Sequence, residues 1–312
     1  MRTLTSLLIL SLGVSLSACD GAPPVSQIPD EDVEQAVSAL LVPAIGRRCA
    51  TVHPSQREQT KIDKAETARF AIVDSLRTSD EPVRVPVYVH IITPIEDSGW
   101  VTKSDVAKQI AVLNNAFKGG QSEDATVTPF SFYLAGTDRT VNAAWSAMLP
   151  NSSAEKAAKQ SLRQGGRDAL NLYIASPEGG LLGWATFPHD YEKAPFADGV
   201  VILHKTLQGY ADSPYSLGDT AVHEVGHWLG LYHTFQGGCG KRGDSVADTA
   251  SERFPASGCP RTLDTCPNAP GFDPVQNFMD YSDDACMVTF TTRQSSRMHR
   301  AFLTYRGPLA AR

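Results

Sequence analysis

The residues best placed to do chemistry fall in one run, His223-Glu224-Val225-Gly226-His227-Trp228-Leu229-Gly230-Leu231-Tyr232-His233. Residues four apart share a helix face, so His223 and His227 can offer imidazole nitrogens to one ion with Glu224 beside them. A straight helix cannot bring a third His, ten residues after the first, to the same point. Gly230 supplies the escape, because a residue without Cβ takes a left-handed backbone freely and lets the chain return His233 beneath the metal. Three neutral imidazoles leave a fourth position for water, the pattern of a catalytic zinc site. Zinc lowers the pKa of such a water toward about 7, and a carboxylate within reach can take its proton and pass it on. The other five His of the chain, His53, His90, His189, His204 and His299, lack this spacing and read as satisfied or solvated side chains.

The elements that must position this run can be read around it. The chain has 312 residues, enough for two domains or one large one. Val83, Val85, Val87, Val89 and Ile91 alternate with Arg84, Pro86, Tyr88 and His90, which predicts a strand with one buried face. Thr102 and Asp105 form a capping box ahead of Val106, Ile110, Leu113 and Phe117 at helical spacing, and Gly119-Gly120 stops that helix. Phe130 to Ala135, Leu170 to Ala175 and Val200 to His204 are short apolar strands. Strand, helix, strand, strand and then a long helix carrying the His run predicts an α+β or α/β fold with helices layered on a mixed sheet. Gly237 to Phe278 has no periodicity and is rich in Gly, Pro, Asp and Cys, so something other than an apolar core must hold it.

Charge points the same way. The net charge of −6 leaves no basic footprint for a nucleic acid. Residues 219–286 hold ten acidic and four basic side chains, a surplus equal to that of the whole chain. Within them Asp244, Asp248, Thr249 and Glu252 form an oxygen-rich group suited to a hard cation. Four of the six Cys, Cys239, Cys259, Cys266 and Cys286, lie in the aperiodic stretch and allow three pairings.

The His-Glu-x-x-His-x-x-Gly-x-x-His run, followed by Met279 in Asn277-Phe278-Met279-Asp280-Tyr281, resembles the signature of the metzincin metallopeptidases. The flanking words resemble the pappalysin family, especially its small bacterial members, over about residues 83 to 306. That resemblance implies an α+β, two-subdomain zinc protease acting on protein or peptide substrates. It implies zinc on His223, His227 and His233, Glu224 as general base, Met279 as the apolar floor, and Tyr281 as a donor to the oxyanion. It implies the pairings Cys239–Cys266 and Cys259–Cys286, and calcium in the acidic group. Gly183, Trp184, Ala185 and Thr186 resemble the edge strand above a metzincin cleft, which pairs with an extended peptide. In metzincins the segment after the Met-turn shapes the pocket for the residue after the cut, so Asp283 and Asp284 predict a preference for Arg or Lys there. Cys49, in Arg47-Arg48-Cys49-Ala50-Thr51, resembles the latency Cys of small pappalysins, whose thiolate would take the fourth zinc position.

At the N-terminus, Arg2, an apolar run from Leu4 to Leu16 and then Ser17-Ala18 read as an export signal too short to span a bilayer permanently. Leu16-Ser17-Ala18-Cys19 resembles the lipobox of bacterial lipoproteins, which predicts lipid on Cys19 as the sole membrane attachment. The expected organisation is a signal at 1–18, a tether at 19–48, a pro-segment at 49–80 and a catalytic part at 81–312. The basic residues Arg57, Lys61, Lys64, Arg69 and Arg77 are candidate points of cleavage in the pro-segment. The competing readings are a catalytically silent surface-binding lipoprotein of the same fold and a zinc amidase acting on cell-wall peptides.

Overall fold

The computed structural model describes residues 48–75, 82–96, 98–210 and 213–307. The expected signal, Cys19 and all of the tether but Arg48 lie outside them. Among the described residues no helix is long and apolar enough to cross a membrane.

The first helix, α1 (Gln56–Ser75), precedes a five-stranded sheet of β1 (Val83–Thr93), β2 (Phe130–Val141), β3 (Leu170–Ala175), β4 (Gly183–Ala185) and β5 (Val200–Leu203). The strand order is β2-β1-β3-β5-β4, with every pairing parallel except that of β4 with β5. β1 alternates as expected at its start, Val85, Val87 and Val89 inward, and is buried on both faces from His90 to Thr93, where β2 and β3 flank it. β2 runs six residues past its expected end at Ala135. Its second half, Gly136 to Val141, is polar and lies at a sheet edge, so apolar patterning could not find it.

Helices cover both faces of the sheet. α2 (Lys103–Phe117) starts at the predicted Thr102–Asp105 capping box and buries Val106, Leu113 and Phe117. Together with α4 (Asp219–Trp228) it packs against Val85, Val87, Val89, Leu172 and Ile202 in the main core. On the other face α3 (Ser153–Leu162), which the periodicity reading missed, contributes Ala158 to a smaller core with Ile92, Tyr173, Trp184 and Val201. Parallel strands joined by helices with a lone antiparallel edge make this the expected mixed α+β architecture.

α4, expected to be long, has only ten residues, because Gly230 takes φ +103° immediately after it. From Leu231 to Thr291 the chain forms no regular helix or strand, only an isolated bridge between Asn277 and Thr289. Two disulfides, Cys239–Cys266 and Cys259–Cys286, staple it in the pairing implied by the family resemblance. α5 (Thr292–Ala301), opened by a capping box at Thr291 and Gln294, closes the fold beneath α4.

Candidate active site

α4 is completely buried, so its polar residues are there for each other or for a ligand. His223 and His227 project from one face, and the turn at Gly230 returns His233 to them. Their three Nε2 atoms lie 3.1–3.2 Å apart. His223 Nδ1 is tied to the Phe278 carbonyl at 2.6 Å and His227 Nδ1 to that of Leu231 at 2.7 Å, which places the ring proton on Nδ1 and leaves Nε2 a bare donor. Three converging lone pairs repel unless a cation sits between them. Tetrahedral zinc at about 2.0 Å from each nitrogen sets them about 3.3 Å apart, so the donor set fits zinc in kind, number and spacing. Burial pushes His223 down to about 4 and holds His227 and His233 well below the ordinary imidazole value, which keeps all three neutral as metal donors must be.

Beneath them the turn containing Met279 is drawn up tightly. A Cβ at Gly226 would come within 2.4 Å of Met279 Sδ, and the Met279 carbonyl accepts the Thr234 amide at 3.2 Å. The Tyr281 ring lies 4.9 Å from that of His233 and 5.8 Å from that of His223. Glu224 is buried beside the histidines, and burial raises its carboxyl to about 8. Above the site runs β4, whose outer edge is covered by no other named strand among the described residues. Gly183 must be glycine, since a Cβ would meet the Val201 carbonyl at 2.8 Å and Glu224 Cγ at 2.9 Å.

That edge and the cleft below it are filled by the chain's own residues 48–53. Cys49 bridges to Gly183 in the parallel sense, with Leu182 N–H donating to the Arg48 carbonyl at 2.9 Å and Ala50 N–H to the Gly183 carbonyl at 3.0 Å. Cys49 Sγ and one nitrogen from each of His223, His227 and His233 all lie within 4.8 Å of one another. Thr51 Oγ1 donates to Glu224 Oε2 at 3.0 Å and accepts from the Ala185 amide at 2.9 Å. Cys49 Sγ donates to the same Glu224 oxygen at 3.4 Å, and Tyr281 Oη to the Cys49 carbonyl at 3.3 Å. The Arg48 guanidinium donates to the Tyr281 carbonyl and to Ser257 Oγ, lies 4.1 Å over the Tyr215 ring, and faces Asp283 at 3.9 Å. The His53 ring packs 4.3 Å from that of His233 and 5.0 Å from that of His227.

Residues 171–303 match the profile of the pregnancy-associated plasma protein-A family. An "Extracellular metalloprotease" of Pyricularia oryzae is 40% identical over 277 residues, covering 87% of this chain and 93% of that relative. The chain belongs to the pappalysin family of metalloproteases. A second family relative, an "Extracellular metalloprotease" of Colletotrichum graminicola, is 41% identical over 83% of this chain and 90% of its own length. Among solved structures, a promirolysin mutant of Tannerella forsythia aligns with TM-score 0.68 at 27% identity, over 84% of this chain and 95% of that one. Mature mirolysin of the same organism, in complex with a cleaved peptide, aligns with TM-score 0.62 at 28% identity, over 73% and 97%. Pappalysin membership agrees with the metal-donor set and with the edge strand above it.

Several expected site residues take other roles in this pappalysin. Trp184 points to the far face of the sheet and donates Nε1–H to Glu155 Oε1 at 2.6 Å, so only its backbone borders the cleft. Thr186 Oγ1 is spent on Asp198 at 3.0 Å. Of the two acids expected in the pocket, Asp283 faces Arg48, while Asp284 Oδ2 accepts the Leu217 amide at 2.8 Å ahead of α4. The four-residue acidic group does not gather. Asp244 accepts from Thr249 at 2.8 Å, but Asp248 accepts from Thr291 at 2.6 Å and from the Arg293 amide at 2.9 Å, capping α5, and burial with the nearby Asp280 charge raises Glu252 to about 10. Sequence spacing placed these residues close in chain; the irregular loop sends them to different neighbours. His90 is satisfied as expected, by Asp138 and Asn171. His53 is not an ordinary solvated side chain: it is buried on two of the metal-site rings, and with Arg48 and Thr51 it was missed. The run Arg48-Cys49-x-Thr51-x-His53, two residues before Ser55 caps α1, was the available signal.

Proposed function

We propose that the protein is the latent precursor of an exported zinc endopeptidase, held inactive by residues 48–53 until the segment that follows them is cut. One observation supports the reading: Arg48 lies between Tyr215 and Asp283, Cys49 Sγ lies within 4.8 Å of one nitrogen from each of the three His, and Thr51 Oγ1 is bonded to Glu224, all in one short segment. His223, His227 and His233 would hold the zinc, which when bound would supply Lewis-acid chemistry toward a carbonyl and a water. Glu224 takes the proton of the attacking water and delivers it to the leaving amine. Tyr281 Oη, which donates to a carbonyl of the segment here, donates to the oxyanion of the substrate. The amides and carbonyls of Gly183 and Ala185 hold an extended substrate as an added strand. Asp283, with Tyr215 stacked on the guanidinium, makes the pocket after the scissile bond selective for Arg or Lys, and Arg48 stands in for that residue.

The alignments support the precursor reading in size. The promirolysin mutant covers about one tenth more of this chain than mature mirolysin does, the length of residues 48–81. The names of the fungal relatives support export; lipid on Cys19 rests on the lipobox-like residues alone. Calcium is proposed only at Asp244 and Thr249, where burial raises the carboxyl to about 7 with no cationic side chain bonded to it. A melting temperature unchanged in a calcium-selective chelator, with zinc retained, would remove it. The test of the main reading is a cleavage profile of the activated protein on a peptide library. Basic residues should dominate immediately after the cut. Apolar residues there would reject the role of Asp283, and no cleavage at all would reject the peptidase.

A further inference from the structure

The helix that follows the blocking residues is held to the catalytic part by a set of charges that lies outside the cleft. Asp63 of α1 meets Arg297 and Arg242, each at 3.0 Å, and Glu66 meets Arg300 at 2.7 Å. Arg242 also donates to Thr60 Oγ1. The two carboxylates, three residues apart on one helix face, thus cover three guanidinium groups that come from the irregular loop and from α5. Glu66 and Arg297 are nearly inaccessible to solvent. Once the segment is gone, nothing else acidic is bonded to Arg242 or Arg300 among the described residues.

This basic patch is linked to the cleft through one ring. The Arg297 guanidinium lies 4.6 Å over the Tyr232 ring, which also neighbours the rings of Phe187 at 5.5 Å and His53 at 6.1 Å. From Arg48 the segment passes the histidines, then His53, and then joins α1 on the arginines. On the reading given above, the Arg48 pocket takes the residue after the scissile bond, so the opposite, His53 end of the cleft takes those before it. We propose that Arg242, Arg297 and Arg300 form a secondary binding site for acidic side chains of substrates, N-terminal to the cut, which the pro-segment masks with Asp63 and Glu66. The reach follows from chain geometry. Gln56 lies seven positions after Cys49, and the helical rise to Asp63 equals about three extended residues, so the acids sit about seven to twelve positions before the bond.

The inference rests on the proposed protease reading, and the experiment separates the two. The full-length chain is expressed and activated, and its N-terminus is sequenced. An active form still carrying α1 would overturn the site, because its arginines would remain occupied. Binding is then read by anisotropy with two labelled peptides that differ only in having four Glu or four Gln across that interval, and KM is read with the same leaders joined to one cleavable sequence. The Glu leader should bind and should lower KM about fivefold at low salt, with kcat unchanged, as expected for two or three partly exposed charge pairs. The advantage should vanish at about 0.5 M salt and in the double variant Arg242→Gln, Arg300→Gln. That variant should still cleave the leaderless peptide normally, which reports its folding. Equal behaviour of the Glu and Gln leaders, a preference that survives in the double variant, or an equal gain from acids placed after the bond would reject the site. Failure to cleave even the leaderless peptide faults the protease reading instead, and the anisotropy pair still decides the acidic site.

Discussion

Among the described residues Glu224 has two side-chain partners, Thr51 Oγ1 and Cys49 Sγ, and both belong to the segment proposed to leave on activation. Replacing Glu224 by Gln in the activated enzyme would remove the proposed proton acceptor and none of the three converging imidazoles. Zinc content and melting temperature should stay, while peptide hydrolysis falls at least about 10²-fold; activity within threefold of wild type would take Glu224 out of the mechanism. Cys49→Ala should raise the activity of the unprocessed chain on a short peptide at least tenfold, on the order of what losing one metal-bound thiolate releases. An unprocessed variant as silent as wild type would leave latency to Arg48 and Thr51. At this scale the convergence of the three His, with Glu224 beside them, was legible because one short helix and one turn place them, so chain spacing is spatial spacing. Arg48, Thr51 and His53 were not, because Thr51 and His53 meet α4 from far along the chain, Thr51 across 173 residues, and Arg48 meets Tyr281 across 233, and nothing local marks those meetings.

The element that decides the geometry is α4, and its entry carries two buried acids. Asp284 accepts amides at the helix start, and Asp219 opens the helix itself, held by Gln121 at 3.1 Å. Burial raises Asp219 to about 7, with the Asp284 charge adding to it, and raises Asp284 to about 6. Both lie above the unfolded carboxylate value of about 4, so the folded chain holds more protons between pH 4 and 7. Stability contributed by this pair is therefore present at acid pH and lost as pH rises toward 7. Asp219→Asn keeps an oxygen for Gln121 and cannot ionise. Its melting temperature should exceed wild type by about 3 °C at pH 8, with the gap closing toward pH 4. A gap constant across that range would remove the pair from the balance. β1, the first half of β2, β3, β5 and α2 could be read from periodicity and capping residues, and the turn at Gly230 from the His spacing, although α4 is shorter than expected. The second half of β2 and all of α3 could not, the first because an edge strand needs no apolar alternation, the second because its buried face is largely Ala and Lys.

For the whole molecule, the ion pairs of α1 bear on where the chain is opened. Arg57, Lys61, Lys64 and Arg69 lie within that helix, and a protease that binds extended backbone cannot use them while it is folded. Arg77 follows the last described residue of the helix, Ser75, by two positions in the sequence, so an enzyme that cuts before basic residues is expected to produce an N-terminus at Arg77. Expressing the full chain beside Glu224→Ala and sequencing both N-termini checks this: the new terminus should appear in the first and be missing from the second. The same cut in both, or in neither, would mean that the protein does not process itself. The occupied cleft has a consequence in time. A molecule whose own residues 48–53 fill its site cannot also place its own residues 76 and 77 there, so on the proposed reading each chain is opened by another. Activation is then second order and self-accelerating. A pure precursor should rest through a lag, convert along a sigmoid, lose the lag on addition of a trace of finished enzyme, and lengthen it in proportion to dilution; a half-time independent of concentration would place the cut within one chain.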